Sequence, residues 1–319
     1  MAPVAVGLGF VSICLSEEDC SPAGDVTVKS LERLPDREAR LDRIRRTARR
    51  NLENTLRILW FLKGNRLTCY RFATHLIPLA THEATDGWAW WDDPEIAPML
   101  ARIGEIVRRE GFRVSTHPPQ LCVLNSPDPA VFVWVERYTA YHVRLFEVMG
   151  LDDAAKIVLH VGKRFPGGPK AALKQALVNI RRLPEAVRAR LALENDDRTF
   201  SARETLALCR QAGVSMVFDL HHHWCRHDGE DFRDLLPAVF ETWRDRPPKV
   251  HLSSPRSPSS PRAHADYVDA DFAAPFLEYA ATLGSFDVMV EAKMKDLAAL
   301  RLREELPHIF AVDPGGAPP

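Results

Sequence analysis

Three features of the sequence predict a closed (β/α)8 barrel. Short apolar runs of strand length alternate with longer amphipathic runs of helical spacing, the pattern of parallel strands joined by helices. Eight such units fit into 319 residues with no composition change that marks a linker. One domain is therefore expected over 1–319, with the barrel over about 4–306 and a flexible tail over 307–319. The apolar runs also end repeatedly in ionisable residues, at His117, His160, Glu194, Asp219, His251 and Glu291. A barrel gathers its strand ends at one face, and that face is where barrels carry chemistry. A doubly wound open sheet is the other arrangement of the same alternation.

Taken in order, residues 4–10 read as a first strand rather than a signal peptide, because no basic segment precedes them and acids follow soon after. Residues 16–35 are polar and irregular, and read as a loop. Residues 37–63 have helical spacing and carry Arg43, Arg45, Arg46, Arg49 and Arg50, a pattern typical of a solvated helix face. A second strand over 67–73 leads into another His-containing stretch, with His75 just beyond the strand. A helix over 94–110 precedes a strand over 112–115, which runs into His117. A helix over 129–149, a strand over 156–160 and a Gly/Pro-rich loop over 162–169 follow.

Residues 171–188 read as one helix and 190–194 as a strand. The helix over 201–211 opens on Ser201 and Glu204, at capping-box spacing. The strand over 214–219 ends at Asp219 and is followed by His221, His222 and His223. A helix over 232–243 and a strand over 248–252 precede a long polar loop over 253–269. A helix over 272–283, a strand over 286–291 and a helix over 297–305 complete the pattern, and the closing GGAPP reads as disordered.

Composition narrows the function classes. The chain is 46% hydrophobic and 27% charged, with a formal net charge of -1, so no overall basicity advertises a nucleic acid partner. A neutral total still accommodates a local basic stripe. Six cysteines without CxxC spacing, beside 12 histidines, fit a reduced cytoplasmic protein rather than a disulfide scaffold. No stretch approaches the roughly 20 apolar residues of a membrane span.

Imidazoles and carboxylates at strand ends are ligands for divalent ions such as manganese, zinc or iron. Three carboxylates (Glu194, Asp219, Glu291) and five imidazoles (His117, His160, His222, His251, His264) exceed the needs of one ion. They suffice for two or three ions that share a carboxylate, an arrangement used in phosphoester hydrolysis. Each residue also has a plainer role open to it. His160 suits a core histidine, Glu291 a buried pair with Lys249 or Lys293, and His264 a solvated loop. Glu194 and Asp219 suit such roles least, since an unpaired buried carboxylate is costly.

The motifs HPPQL (117–121), LHVG (159–162), LENDD (193–197), FDLHH (218–222), KVHLSSP (249–255), RAHADYVD (262–269) and VEAK (290–293) together resemble the UV damage endonucleases. The opening GFVS (9–12) and RFATHLIPLATH (71–82) are similar to the same family. The resemblance runs from about residue 6 to 306. It implies a TIM barrel related in architecture to endonuclease IV, with a cluster of two or three divalent ions. The ions would be manganese, with zinc or magnesium as alternatives. It further implies an enzyme that acts on damaged double-stranded DNA, and a monomer is the default for an enzyme that must bend DNA across its barrel mouth. Such an enzyme cuts the phosphodiester immediately 5′ to cyclobutane pyrimidine dimers and (6-4) photoproducts, in some cases also at abasic sites, and so initiates excision repair.

Carried over by motif, the ligands are His117, His160, Glu194, Asp219, His222, His251, His264 and Glu291, with Glu194 as the bridging carboxylate. Lys249 resembles a lysine near the metals that can be carboxylated. Lys249 and Glu194 are thus expected in the catalytic machinery; His75, at a strand tip, suits either an approach to the phosphate or a structural role. Phe10, Gln120 and Leu121 fall where the family contacts the lesion. Leu121 stands where an aromatic wedge is expected, Pro119 where Asn or Gly is usual, and GKRFPGG replaces a glycine-rich loop. Two other functions remain open at this point: a metal-dependent sugar isomerase or epimerase on the same barrel, and a lesion-binding protein without cleavage.

Overall fold

The structure, a computed structural model, describes residues 4–165 and 167–310. Eight parallel strands close into a barrel: β1 (Val6–Val11), β2 (Cys69–Arg71), β3 (Arg113–Thr116), β4 (Lys156–His160), β5 (Leu191–Glu194), β6 (Ser215–Asp219), β7 (Lys249–Leu252) and β10 (Phe286–Val290). Each pairs with its neighbours in sequence, and β1 pairs with both β2 and β10, which shuts the ring. The intermediate strands β8 (Pro255–Ser257) and β9 (Ser260–His264) form an antiparallel hairpin apart from the barrel.

Side chains alternate across a strand with a period of two, and this splits the apolar residues into two cores. Phe10, Tyr70, Val114, Leu159, Leu193, Phe218, Val250 and Val290 belong to the large core that the strands share with the surrounding helices. Val158, Ala192 and Val217 form a separate small cluster with Trp243, whose indole N–H donates to the Met216 carbonyl at 2.6 Å. The second set has the parity of His160, Glu194 and Asp219, two residues further along each strand. The same alternation that fills the barrel interior therefore delivers these ionisable side chains to its upper end. Register completes the placement, with His160 beside Glu194 and Asp219 beside His251.

One glycine is required by close approach. A Cβ on Gly9 would sit 1.8 Å from the Cys69 carbonyl oxygen, so β1 and β2 can lie against each other here only without a side chain.

Several elements differ from the sequence expectation. Residues 171–188 are not one helix: Gly168–Arg182 and Glu185–Arg188 are separated at Leu183-Pro184. Pro184 lacks an N–H and pushes Leu183 into extended geometry (ψ 146°). The loop over 162–169 is correspondingly shorter, since the first of these helices begins at Gly168. The stretch 16–35 contains a short helix, Val28–Leu31, capped by Thr27. The loop over 253–269 contains the β8–β9 hairpin. The histidine run is helical (Leu220–Cys225), begun by the Asp219 carboxylate accepting the His222 N–H at 2.7 Å. The capping box at Ser201 and Glu204 forms as expected. Ile309 and Phe310, in the expected tail, are buried against the core, whereas GGAPP lies outside the described residues. Among the described residues no helix is long and apolar enough to cross a membrane.

Candidate metal centre and its surroundings

Glu194 occupies the centre of the cluster at the end of β5. It is buried, and one carboxylate oxygen lies 3.2 Å from His117 Nε2 and 3.8 Å from His160 Nε2. The other lies 3.0 Å from His251 Nδ1, which is also 2.9 Å from Glu291. Two ligand groups share it: His117, His160 and Glu194 in one, and Glu194, Asp219, His251 and Glu291 in the other, with donor atoms within 4.8 Å of one another in each. A carboxylate common to two groups is the geometry of a bridging ligand, and the cluster fits divalent metal ions.

Hydrogen bonding supplies the test of fit. His117, His222 and His264 each turn Nδ1 toward a backbone carbonyl: Pro118 at 2.9 Å, Asn195 at 3.0 Å and Glu291 at 2.8 Å. A carbonyl can only accept, so Nδ1 carries the proton in all three, and Nε2 is the nitrogen whose lone pair is available to a metal. Buried Asp219 Oδ2, His160 Nδ1 and His251 Nε2 have no hydrogen-bond partner among the described residues. Orphaned polar atoms of this kind are expensive unless a cation or ordered water meets them.

Electrostatics agrees. Burial opposes the charged form of Glu194, yet His251 and His160 outweigh it and hold the carboxyl well below its ordinary range. Burial likewise opposes a charged His251, but Glu194 and Glu291 raise it to about 9. His222 moves the same way: Asp219 and Glu194 overcome burial and hold it well above the ordinary imidazole value. Asp219 is raised by burial. Glu291 is lowered, because Arg71 and His251 prevail over burial. The raised imidazoles and the lowered carboxyls of Glu194 and Glu291 mark a site where positive charge stabilises buried carboxylates.

The UV-endonuclease UvdE family model matches residues 6–317. The chain belongs to this family. A UV DNA damage endonuclease of Bacillus cereus (strain B4264) is 36% identical over 311 residues, which cover 96% of each chain. The crystal structure of SacUVDE superposes with a TM-score of 0.84 at 28% identity, covering 97% of this chain and 100% of that one. Endonuclease IV from Thermus thermophilus shares the fold alone, with a TM-score of 0.55 at 16% identity over 94% of this chain and 99% of that one. An endonuclease of the UvdE family acts on DNA, so this chain is a nuclease, and the barrel face described above is where its DNA chemistry is to be sought.

Within this member of the UvdE family, six of the eight expected ligands fall into the two groups. His222 and His264 flank them, their rings 6.0 Å apart. The other histidines of the run turn elsewhere, because a helix rotates successive residues away from one another. His221 is held through both ring nitrogens, and His223 is buried against Phe218. Gln120 and Leu121 are exposed in the turn beyond β3, with Leu121 at 43%.

Phe10 is corrected. It is 0% exposed, edge-on to Phe61 and Tyr70. Its parity in β1 directs it into the helix-facing core, while Gly9 takes the position toward the barrel interior, so Phe10 has no surface to offer DNA. His75 lies four residues past the end of β2, its Nε2 3.2 Å from the Tyr138 hydroxyl, and it belongs to neither ligand group. Lys249 shares the parity of His251 but begins β7, one layer deeper in the barrel; burial lowers its ammonium pKa.

Two residues of the site escaped the sequence reading. Arg71, at the end of β2, forms an ion pair with Glu291 in which both side chains are largely buried. Asn195 joins the ends of β5 and β6: its amide donates to the Asp219 carbonyl at 3.0 Å and accepts the Asp219 N–H at 2.9 Å. Both lie within or beside motifs already noted, Arg71 opening RFATH and Asn195 within LENDD, but pairing across strands leaves no mark in linear spacing.

Proposed function

We propose that this chain is a metal-dependent UV damage endonuclease that hydrolyses the phosphodiester immediately 5′ to cyclobutane pyrimidine dimers and (6-4) photoproducts, and at abasic sites, to initiate excision repair. The observation that carries the reading is the shared Glu194 with histidines whose Nδ1 atoms are fixed on carbonyls. His117, His160, Glu194, Asp219, His222, His251, His264 and Glu291 would hold two or three divalent ions, manganese first. When bound, they supply Lewis-acid chemistry, acidifying water and neutralising phosphate oxygens.

The protein's own residues set the rest. Glu194 spaces the two groups, and the carbonyl-bound rings keep their orientation through turnover. Arg71 pairs with Glu291 and fixes one side of the cluster. Burial lowers the Lys249 ammonium pKa; a neutral Lys249 amine would add carbon dioxide with loss of one N–H proton to solvent, and the resulting carbamate would place a negative charge below the cluster. Gln120 and Leu121 project at the mouth, where an apolar wedge unstacks a base step and a lesion that already weakens stacking leaves the helix more readily. His75, tied to Tyr138, supports the phosphate side. The enzyme works as a monomer in the cytoplasm.

The deciding experiment is Mn²⁺-dependent nicking of a duplex with one defined pyrimidine dimer, beside undamaged and abasic duplexes. A single cut 5′ to the dimer is expected. Cutting of the abasic duplex alone would transfer the specificity to apurinic sites. No cutting of any duplex by metal-loaded protein would refute the proposal.

A further inference from the structure

The geometry points to a second DNA-contacting surface, formed by Trp224 and the β8–β9 hairpin, on the rim of the barrel mouth opposite the Gln120-Leu121 turn. The inference rests on the endonuclease reading and extends it to how the duplex is gripped.

Position around the ring gives the first support. The strands follow one another as β1, β2, β3, β4, β5, β6, β7 and β10, so β7 lies four of eight places from β3. The hairpin that follows β7 therefore stands across the mouth from the turn that follows β3, with the candidate metal groups between them. A duplex that presents a lesion to Leu121 and a phosphate to the metal groups extends toward the opposite rim.

The chemistry of that rim gives the second. Residues 251–264, HLSSPRSPSSPRAH, contain Arg256 and Arg262 and no Asp or Glu. Both arginines are exposed; the Arg262 Nε–H donates to the Asp197 carbonyl at 3.2 Å, with the Asp197 carboxylate 3.5 Å from the same nitrogen. In a protein of net charge -1, this acid-free hairpin is a local cationic edge, and its polar serines suit phosphate oxygens. Trp224 adds a flat apolar face: it is 46% exposed although it lies in the turn of helix that carries His222. Phe272 meets it edge-on at 6.3 Å, and His221 lies 6.2 Å away. A large aromatic held on two sides and open on a third is a stacking platform for a sugar or base.

Rigidity gives the third. The His221 Nε2–H donates to the Pro261 carbonyl at 2.7 Å, which leaves Nδ1 to accept from the Ser253 hydroxyl at 2.8 Å. The Cys225 thiol also reaches the Pro261 carbonyl, and the His264 Nδ1–H donates to the Glu291 carbonyl at 2.8 Å. Hairpin, tryptophan-bearing turn and candidate ligands are thus tied to one another by hydrogen bonds. A phosphate held by the hairpin is held at a fixed distance from the metal groups.

The test is fluorescence anisotropy with a labelled dimer-containing duplex in EDTA over a salt series, for wild type, Trp224→Ala, Trp224→Phe, the double variant Arg256→Gln/Arg262→Gln, and Trp91→Ala as a control on another exposed tryptophan. Trp224→Ala is expected to bind about tenfold more weakly, and Trp224→Phe to recover most of the loss. The double variant should lower the slope of log K against log salt by about two. Manganese content on reloading and thermal midpoints should match wild type, which separates lost contact from lost fold. If wild type nicks the dimer duplex while both rim variants bind within twofold of it and keep its salt slope, the second surface does not exist. A wild-type chain that neither binds nor nicks the duplex overturns this surface and the endonuclease reading together.

Discussion

At the scale of single residues, the site depends on the conflict between burial and charge. Glu194 is taken out of water, and His251 and His160, with hydrogen bonds from His117 and His222, outweigh that burial and favour its anion. Substitution by glutamine keeps its shape and removes the anion that unites both groups. Glu194→Gln should therefore lower bound manganese by at least one equivalent and cut the nicking rate by more than about 100-fold, because losses of only supporting groups around metals already reach 10–100-fold. Metal analysis of the purified variant checks the first part, and unchanged metal content would remove Glu194 from the bridging position. Phe10 shows the opposite case, a residue of a functional motif whose role is packing. Phe10→Ala should cost about 3–5 kcal/mol in urea unfolding while leaving DNA affinity unchanged in conditions where the protein is folded. A selective loss of lesion binding by a variant of undiminished stability would reverse that assignment.

Elements bring these residues together, and their junctions carry the precision. Asp219 ends β6 and caps the following helix, so one oxygen is committed to the His222 N–H while the other is left among the candidate ligands. The helical turn then points only His222 at the cluster. Asn195 fastens this junction to β5 by bonding both backbone groups of Asp219. Asn195→Ala would leave the buried Asp219 N–H without its partner, at roughly 1–3 kcal/mol, and take one of two donors from the Asp219 carbonyl, which also accepts the first bond of the following helix. The expected result is a loss of about 1–3 kcal/mol, together with weaker metal binding; a fully stable variant with normal metal affinity would show that the clamp is dispensable. The break at Pro184 is of a different kind. It lies at the far end of a helix pair, where a missing N–H changes helix length and touches nothing in the site.

The whole molecule couples metal to pH. Without metal and against burial, Glu194 and Glu291 raise His251 to about 9 and Asp219 and Glu194 raise His222 as well, so both rings favour the charged imidazolium at neutral pH. A metal ion that takes His251 must displace its proton, and affinity rises with pH until that proton is already absent. Manganese binding should therefore tighten by about tenfold or more per pH unit from about 6.5 toward 9. Calorimetry in buffers of different ionisation enthalpy should record proton release. Affinity that is flat, or that falls as pH rises over this interval, would contradict the arrangement of charges.

Much of this molecule can be read from residue order because the relevant physics is periodic. An alternation of two along each strand sends His160, Glu194, Asp219 and His251 to the same side, and the regular return of helices requires parallel strands. Those two facts fix the barrel and the face at which six ionisable residues meet. The motifs around them are specific enough to reveal the family. Other features depend on contacts between segments remote in the chain. Phe10 departs from its expected role because a motif reports which residues occur together and not which way each one faces; its ring turns to Phe61, some fifty residues away. The Arg71–Glu291 pair joins residues 220 apart. The choice among His221, His222 and His223 requires a helix that Asp219 initiates. Residue order determined the periodic framework and the kinds of ligand, since each follows from local geometry repeated along the chain. Tertiary packing decided which imidazole nitrogen is free, which carboxylate is shared and which aromatic reaches solvent, because each depends on groups that folding alone brings within a few ångströms.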